Sequence, residues 1–133
     1  MAAREGFHTI TPYLMFDDGN AALTFYQQAF AAVEIQAHRD GTGRLRHGEI
    51  RIGDSPVMVS SVVPEYPELK SATSYGGSPM SLFLYVDDAD AWFDRAVANG
   101  CKVAMAMADQ PYGRTGGVTD PFGYTWWVTT HPA

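Results

Sequence analysis

Hydrophobic positions alternate with polar ones in short runs and recur every three to four residues in two longer ones, and the runs come in the same order twice. TPYLMF, residues 11–16, reads as a strand, and DDGN after it supplies capping side chains for a helix over AALTFYQQAF. Leu23, Tyr26 and Phe30, with Ala22, Phe25 and Ala29 beside them, give that helix an apolar face to lay on a sheet. VEIQAHR, RLRHGEIRI and PVMVSSV then read as three strands, joined by turns at Asp40-Gly41 and Gly53-Asp54. The unit is β-α-β-β-β.

The second half repeats it. SLFLYV is a strand, DDADAWFDRAVAN a capped amphipathic helix ending at Gly100, and CKVAMAM, RTGGVT and YTWWVTT are three more strands. With an offset of 70, LMFDDGNAA at 14–22 lies over LYVDDADAW at 84–92, pairing Asp17 with Asp87 and Asp18 with Asp88. The pattern predicts an α+β fold of two βαβββ modules, about 9–62 and 80–131. Their strands form a curved eight-stranded mixed sheet of two half-barrels, with the helices outside. The Pro-, Gly- and Ser-rich stretch 62–79 between them is either a plain connector or a lid over a pocket.

Length and charge narrow the function. A chain of 133 residues holds one domain and one principal site. The net charge of -6, with no basic cluster, argues against nucleic acid and anionic membranes as partners. No apolar run approaches the ~20 residues that span a bilayer, and the start MAAREGFHTI has no signal-like apolar region, so a cytoplasmic location is expected. The single Cys101 opens an apolar strand and reads as a packed thiol.

The two modules, the stretch TPYLMFDDGNAALTFYQQAF and the late run DPFGYTWWV together resemble the vicinal oxygen chelate superfamily, which includes glyoxalase I, bleomycin-resistance proteins and extradiol dioxygenases. HGEIRIGDSPVMV, and DQPYG followed by DPFG, are similar to its PhnB-like subgroup of small bacterial proteins. The resemblance implies a concave, partly polar interior that binds a small molecule, and a homodimer.

Metal-using members of that superfamily hold a divalent ion with His or Glu from the first, fourth, fifth and eighth strands. Carrying the pattern over puts Thr11, one of Val57 to Ser60, Ser81 and Trp127 at those places. None is a good ligand, so no metal and no cofactor are expected. The glycines of DQPYGRTGG lack the strand-to-helix setting of a phosphate-binding loop, which argues against a nucleotide. DPFG reads as a tight turn into the last strand.

Candidate chemistry lies on the third strand. Alternation in RLRHGEIRIG separates His47, Glu49 and Arg51 from Gly48, Ile50 and Ile52. With the apolar set under the helix, the polar set points into the concavity, with His47 as acid/base and Glu49 orienting or charging it. The competing reading is an ion-pair ladder in solvent. Tyr13, Met15, Met58, Ser60, Phe83, Tyr85 and Trp127 share inward parity and form an aromatic wall for a flat ligand, or simply core; Trp126 has the opposite parity. Tyr112 and Arg114, on the link between the sixth and seventh strands, are placed to overhang the pocket. Three functions fit: a metal-independent isomerase, lyase or cyclase, a non-catalytic binding or sequestration protein, and an interaction module with a filled interior.

Overall fold

Asp18 and Asp88 each end a strand and start a helix. In a computed structural model, which describes residues 2–133, the Asp18 carboxylate accepts from the backbone N–H groups of Asn20 and Ala21, and that of Asp88 from Ala91. Each thereby satisfies donors that a helix start leaves open. The repeated Asp pair is thus a repeated cap.

The first cap lies between β1 (Tyr13–Phe16) and α1 (Gly19–Phe30), followed by β2 (Val33–Arg39), β3 (Leu45–Ile52) and β4 (Ser55–Ser61). The second lies between β5 (Ser81–Tyr85) and α2 (Ala89–Ala98), followed by β6 (Lys102–Gln110), β7 (Gly113–Thr119) and β8 (Thr125–Thr130). The strands form two four-stranded mixed sheets, ordered β1-β4-β3-β2 and β5-β8-β7-β6. In each, the first strand pairs parallel and the other pairs are antiparallel. The predicted eight strands and their order are all present; the hydrogen-bonded ladder, however, ends within each sheet instead of running through all eight. The chain divides into two compact units between Ser74 and Tyr75, inside the predicted connector. No helix among the described residues is long and apolar enough to cross a membrane.

Each helix covers its own sheet. Leu23, Tyr26 and Phe30 of α1 are buried with Leu14, Phe16, Ile50 and Val59, and each such side chain contributes roughly 1.5–3 kcal/mol on leaving water. Gly48 faces this layer so closely that a Cβ there would stand 3.0 Å from Val59 Cγ2. In the second unit Trp126 and Val128 face α2, and Gly117 on the other face lies under the Trp127 ring, with 2.4 Å between an added Cβ and Cζ3. Burial pushes the Cys101 thiol up to about 12, as suits packing.

The registers match across the repeat. Tyr13, Met58 and Glu49 form one transverse row of the first sheet, and Phe83, Trp127 and Gly117 form the corresponding row of the second. The DPFG turn is held by Asp120, whose carboxylate accepts from Phe122 N, Tyr124 N and the Trp126 indole N–H. The residues after β4 are ordered and tied at both ends. Arg44 donates to the carbonyls of Val62 and Asp17, and Ser71 and Thr73 donate to the Asp17 carboxylate at 2.7 and 2.8 Å, ahead of a 3-10 turn at Ala72–Tyr75.

Candidate functional site: a tyrosine, histidine and glutamate chain beside a cavity

Alternation along β3 turns His47 and Glu49 to the face opposite α1, and hydrogen bonds join them in series. Tyr13 Oη lies 2.7 Å from His47 Nδ1, and His47 Nε2 lies 2.9 Å from Glu49 Oε2. An ionised Glu49 only accepts, so Nε2 carries the proton toward it and Nδ1 accepts the tyrosine's. The three side chains thus form one ordered proton path.

Glu49 is only 1% exposed, so it anchors the path and cannot itself touch a ligand. Its other contacts are a two-pronged bond from Arg4, at 2.5 and 3.2 Å, and the Gln36 amide at 2.9 Å. Burial pushes its carboxyl upward, but the Arg4, His47 and Gln36 hydrogen bonds outweigh burial and hold it below the ordinary carboxylate range. Arg4 is steadied by the Phe7 ring, 4.2 Å from its guanidinium carbon. At the other end, burial raises the Tyr13 phenol and the Glu49 charge adds to this, against a lowering by Ser60; the resting hydroxyl is protonated.

Tyr13 opens on a cavity of about 350 Å³ that it lines with Met15, Arg46, Ser60, Val63, Tyr66 and Leu69. Val63, Tyr66 and Leu69 belong to the predicted connector, so this strap forms one side of the space. Arg46 reaches this face through an irregularity in the β2–β3 pairing: His38 opposes His47 and Arg39 opposes Leu45, which leaves Arg46 as the extra residue. A guanidinium that strict alternation sends toward α1 lies on the cavity instead.

Arg51 ends the polar stripe against the N-terminal segment, its guanidinium 3.0 Å from where a Gly6 Cβ would be, and does not line this cavity. Met58 lies beside Thr11 in a second space, about 670 Å³, walled by residues 2–4 and 7–9. Phe83, Tyr85 and Trp127 share one face of the second sheet, with Phe83 and Tyr85 exposed and their ring centroids 5.0 Å apart. Tyr112 is exposed at the β6–β7 turn. Arg114 lies near the start of β7. It shares parity with Gly116, whose added Cβ would meet Phe93 of α2, and it donates to both carboxylate oxygens of Asp90 at 3.1 Å. It ties β7 to α2.

The residues present do not fit a divalent ion. Both His47 nitrogens and both Glu49 oxygens are engaged within the protein, and among the described residues no group of three His, Cys, Asp or Glu is placed to hold a metal. Parity put His47, Glu49 and Tyr13 on one face, and hydrogen bonds join them there. Sequence reasoning missed Arg4, Gln36, Arg46 and Tyr66, of which only Gln36 carried a readable signal, its place on the strand before β3.

Residues 6–128 match the model of the Glyoxalase/Bleomycin resistance protein/Dioxygenase superfamily. An uncharacterized protein of Mycobacterium tuberculosis, Rv0887c, is 42% identical over 120 residues, covering 88% of this chain and 71% of that one. Among solved structures, the Arabidopsis thaliana product At5g48480 superposes with a TM-score of 0.75 at 29% identity, covering 92% of this chain and 98% of that one. The PhnB protein of Bacillus cereus gives 0.71 at 19%, over 92% and 99%. TnmS3, an antibiotic binding protein from Streptomyces sp. CB03234, gives 0.70 at 22%, over 99% of each chain.

Proposed function

The chain belongs to the Glyoxalase/Bleomycin resistance protein/Dioxygenase superfamily, and on that footing we propose that it binds a small organic molecule beside Tyr13 and moves a proton on it without a metal, in chemistry of isomerase, lyase or cyclase type. One observation carries this reading: the hydrogen-bond chain from an exposed hydroxyl to a buried, counter-charged carboxylate. As a ligand C–H or O–H gives its proton to Tyr13 Oη, the phenol proton passes to His47 Nδ1. The resulting imidazolium lies between the neutral tyrosine and Glu49, whose charge stabilises it. Return of the proton to another ligand atom restores the resting state. Arg4 and Gln36 hold the carboxylate in line and exclude water from it.

The test is deuterium incorporation into a panel of small hydroxyketones in D2O, followed by NMR together with ligand binding. Tyr13→Phe and His47→Gln each lose roughly 100-fold or more in exchange rate while the ligand still binds. Binding by the unaltered protein with no exchange anywhere in the panel defeats the catalytic reading.

Sequestration without chemistry is the second reading, favoured by the exposed pair Phe83 and Tyr85 beside Trp127, rings suited to stacking on a flat molecule. The fold shared with TnmS3, an antibiotic binding protein, supports it. Under it, Tyr85→Ala and Trp127→Ala lose affinity and no variant shows turnover. The same exposed rings support a homodimer, in which a second copy covers apolar surface. Light scattering decides between that and a 14.5 kDa monomer.

A further inference from the structure

Arg46 is the only charged residue among the described side chains lining the 350 Å³ cavity, and the strap that roofs the cavity neutralises it. Glu65, between the lining residues Val63 and Tyr66, places its carboxylate on the Arg46 guanidinium. Asp40, 4.0 Å away, is the other acid facing it. The rest of the lining is apolar or carries a hydroxyl.

We propose that the molecule bound beside Tyr13 carries a carboxylate, which pairs with Arg46 and displaces Glu65. This rests on the reading of the cavity as a small-molecule site, and adds the ligand's charge class and the residue that selects it. Three observations converge. The pairing irregularity between β2 and β3 places Arg46 on the cavity face, where a guanidinium is prepared for a planar anion. The occupant already there is a carboxylate from the chain itself, which shows the shape the position accepts. The pair is easily exchanged, because Arg46 and Glu65 side chains are 35% and 52% exposed, and ion pairs that open to water are weak. A chain of net charge -6 repels free anions, so selecting one requires a local cation. One tight turn encloses Glu65, with Tyr66 N donating to Val63 O, and a second follows it, with Leu69 N donating to Tyr66 O.

The test uses phenylacetate and its neutral counterpart phenylacetamide, titrated into the ¹⁵N-labelled full chain while the amide signals of Met15 and Ser60 are followed. Phenylacetate is expected to bind about tenfold more tightly than phenylacetamide, a charge-assisted bond's worth of preference. Arg46→Gln removes that preference and Arg46→Lys keeps most of it. Glu65→Gln, which removes the competing carboxylate, tightens phenylacetate about threefold or more and leaves phenylacetamide unchanged. Tyr13→Phe retains the preference, so failure of the proton path and failure of the carboxylate site are read separately. Equal binding of the two probes, no shift with either at tens of millimolar, or a Glu65→Gln variant that binds phenylacetate no better overturns the proposal.

Discussion

Tyr13 and His47 lie on strands that do not pair with each other, yet Tyr13 Oη stands 2.7 Å from His47 Nδ1 across the intervening β4. Two strand spacings amount to about 10 Å, which two rings leaning toward each other can bridge and two aliphatic side chains cannot. The contact is edge-on, with ring centroids 5.4 Å apart. Cutting back either ring therefore breaks the path without disturbing a backbone ladder.

Glu49 should contribute stability only while it is ionised. Its folded-state value lies below the ordinary 4.5 of a glutamate, so the contribution is complete above about 4.5 and is lost as the pH falls toward the folded value. Glu49→Gln is expected to cost about 1–2 kcal/mol at pH 7, discounted because Arg4 is half-exposed. Urea melts of both proteins at pH 7 and pH 3.5 check this: the gap between them narrows in acid, and an equal gap at both values contradicts the assignment.

Tyr13 should titrate above the ordinary 10, chiefly because it is partly buried and secondarily because Glu49 is charged. Replacing Glu49 with Gln removes the second cause and not the first. The Tyr13 ring signals in a ¹³C-labelled sample are expected to shift their midpoint downward in Glu49→Gln while staying above 10. No movement would disconnect the two ends of the path.

Asp17 fixes the far end of the strap through Ser71 and Thr73, whose hydroxyls hold its carboxyl below the usual carboxylate range. Asp17→Ala leaves both hydroxyls without that acceptor and loosens residues 63–73. Limited proteolysis should cut this stretch several-fold faster in the variant at pH 7, with the two β-sheets still intact by circular dichroism.

Gly117→Ala should destabilise by about 1–3 kcal/mol, because the new methyl group overlaps the Trp127 ring. Trp127→Leu in the same chain removes the overlap, so the doubly altered protein should melt above the sum of the two single losses. Additive losses would place the strain elsewhere.

The repeat could be read before any coordinates because strand, Asp cap and amphipathic helix are local patterns, and Asp18 and Asp88 both act as read. The facing of His47 and Glu49 could be read because alternation needs only knowledge of which side the helix takes. Arg46 and Arg114 show where that rule runs out. An extra residue in one strand reverses parity, and nothing in RLRH announces it; Arg114 follows parity, but its pairing with Asp90 of α2 leaves no local signal. Arg4 is 45 residues from its partner Glu49, and long-range pairing of an N-terminal arginine leaves no local trace. The cavity shares this obscurity, since its roof comes from a segment without regular structure.

The matching rows of the two sheets are not interchangeable. Where one row runs Tyr13, Met58, Glu49, its counterpart runs Phe83, Trp127, Gly117, and the Trp127 ring fills the space that any larger residue at 117 would need. A hydroxyl at position 83 is one substitution away, but a carboxylate at 117 is blocked until residue 127 shrinks first. The indole thus acts as a lock: the second sheet can carry an acid where the first carries Glu49 only in a chain whose residue 127 has already given up its large aromatic ring.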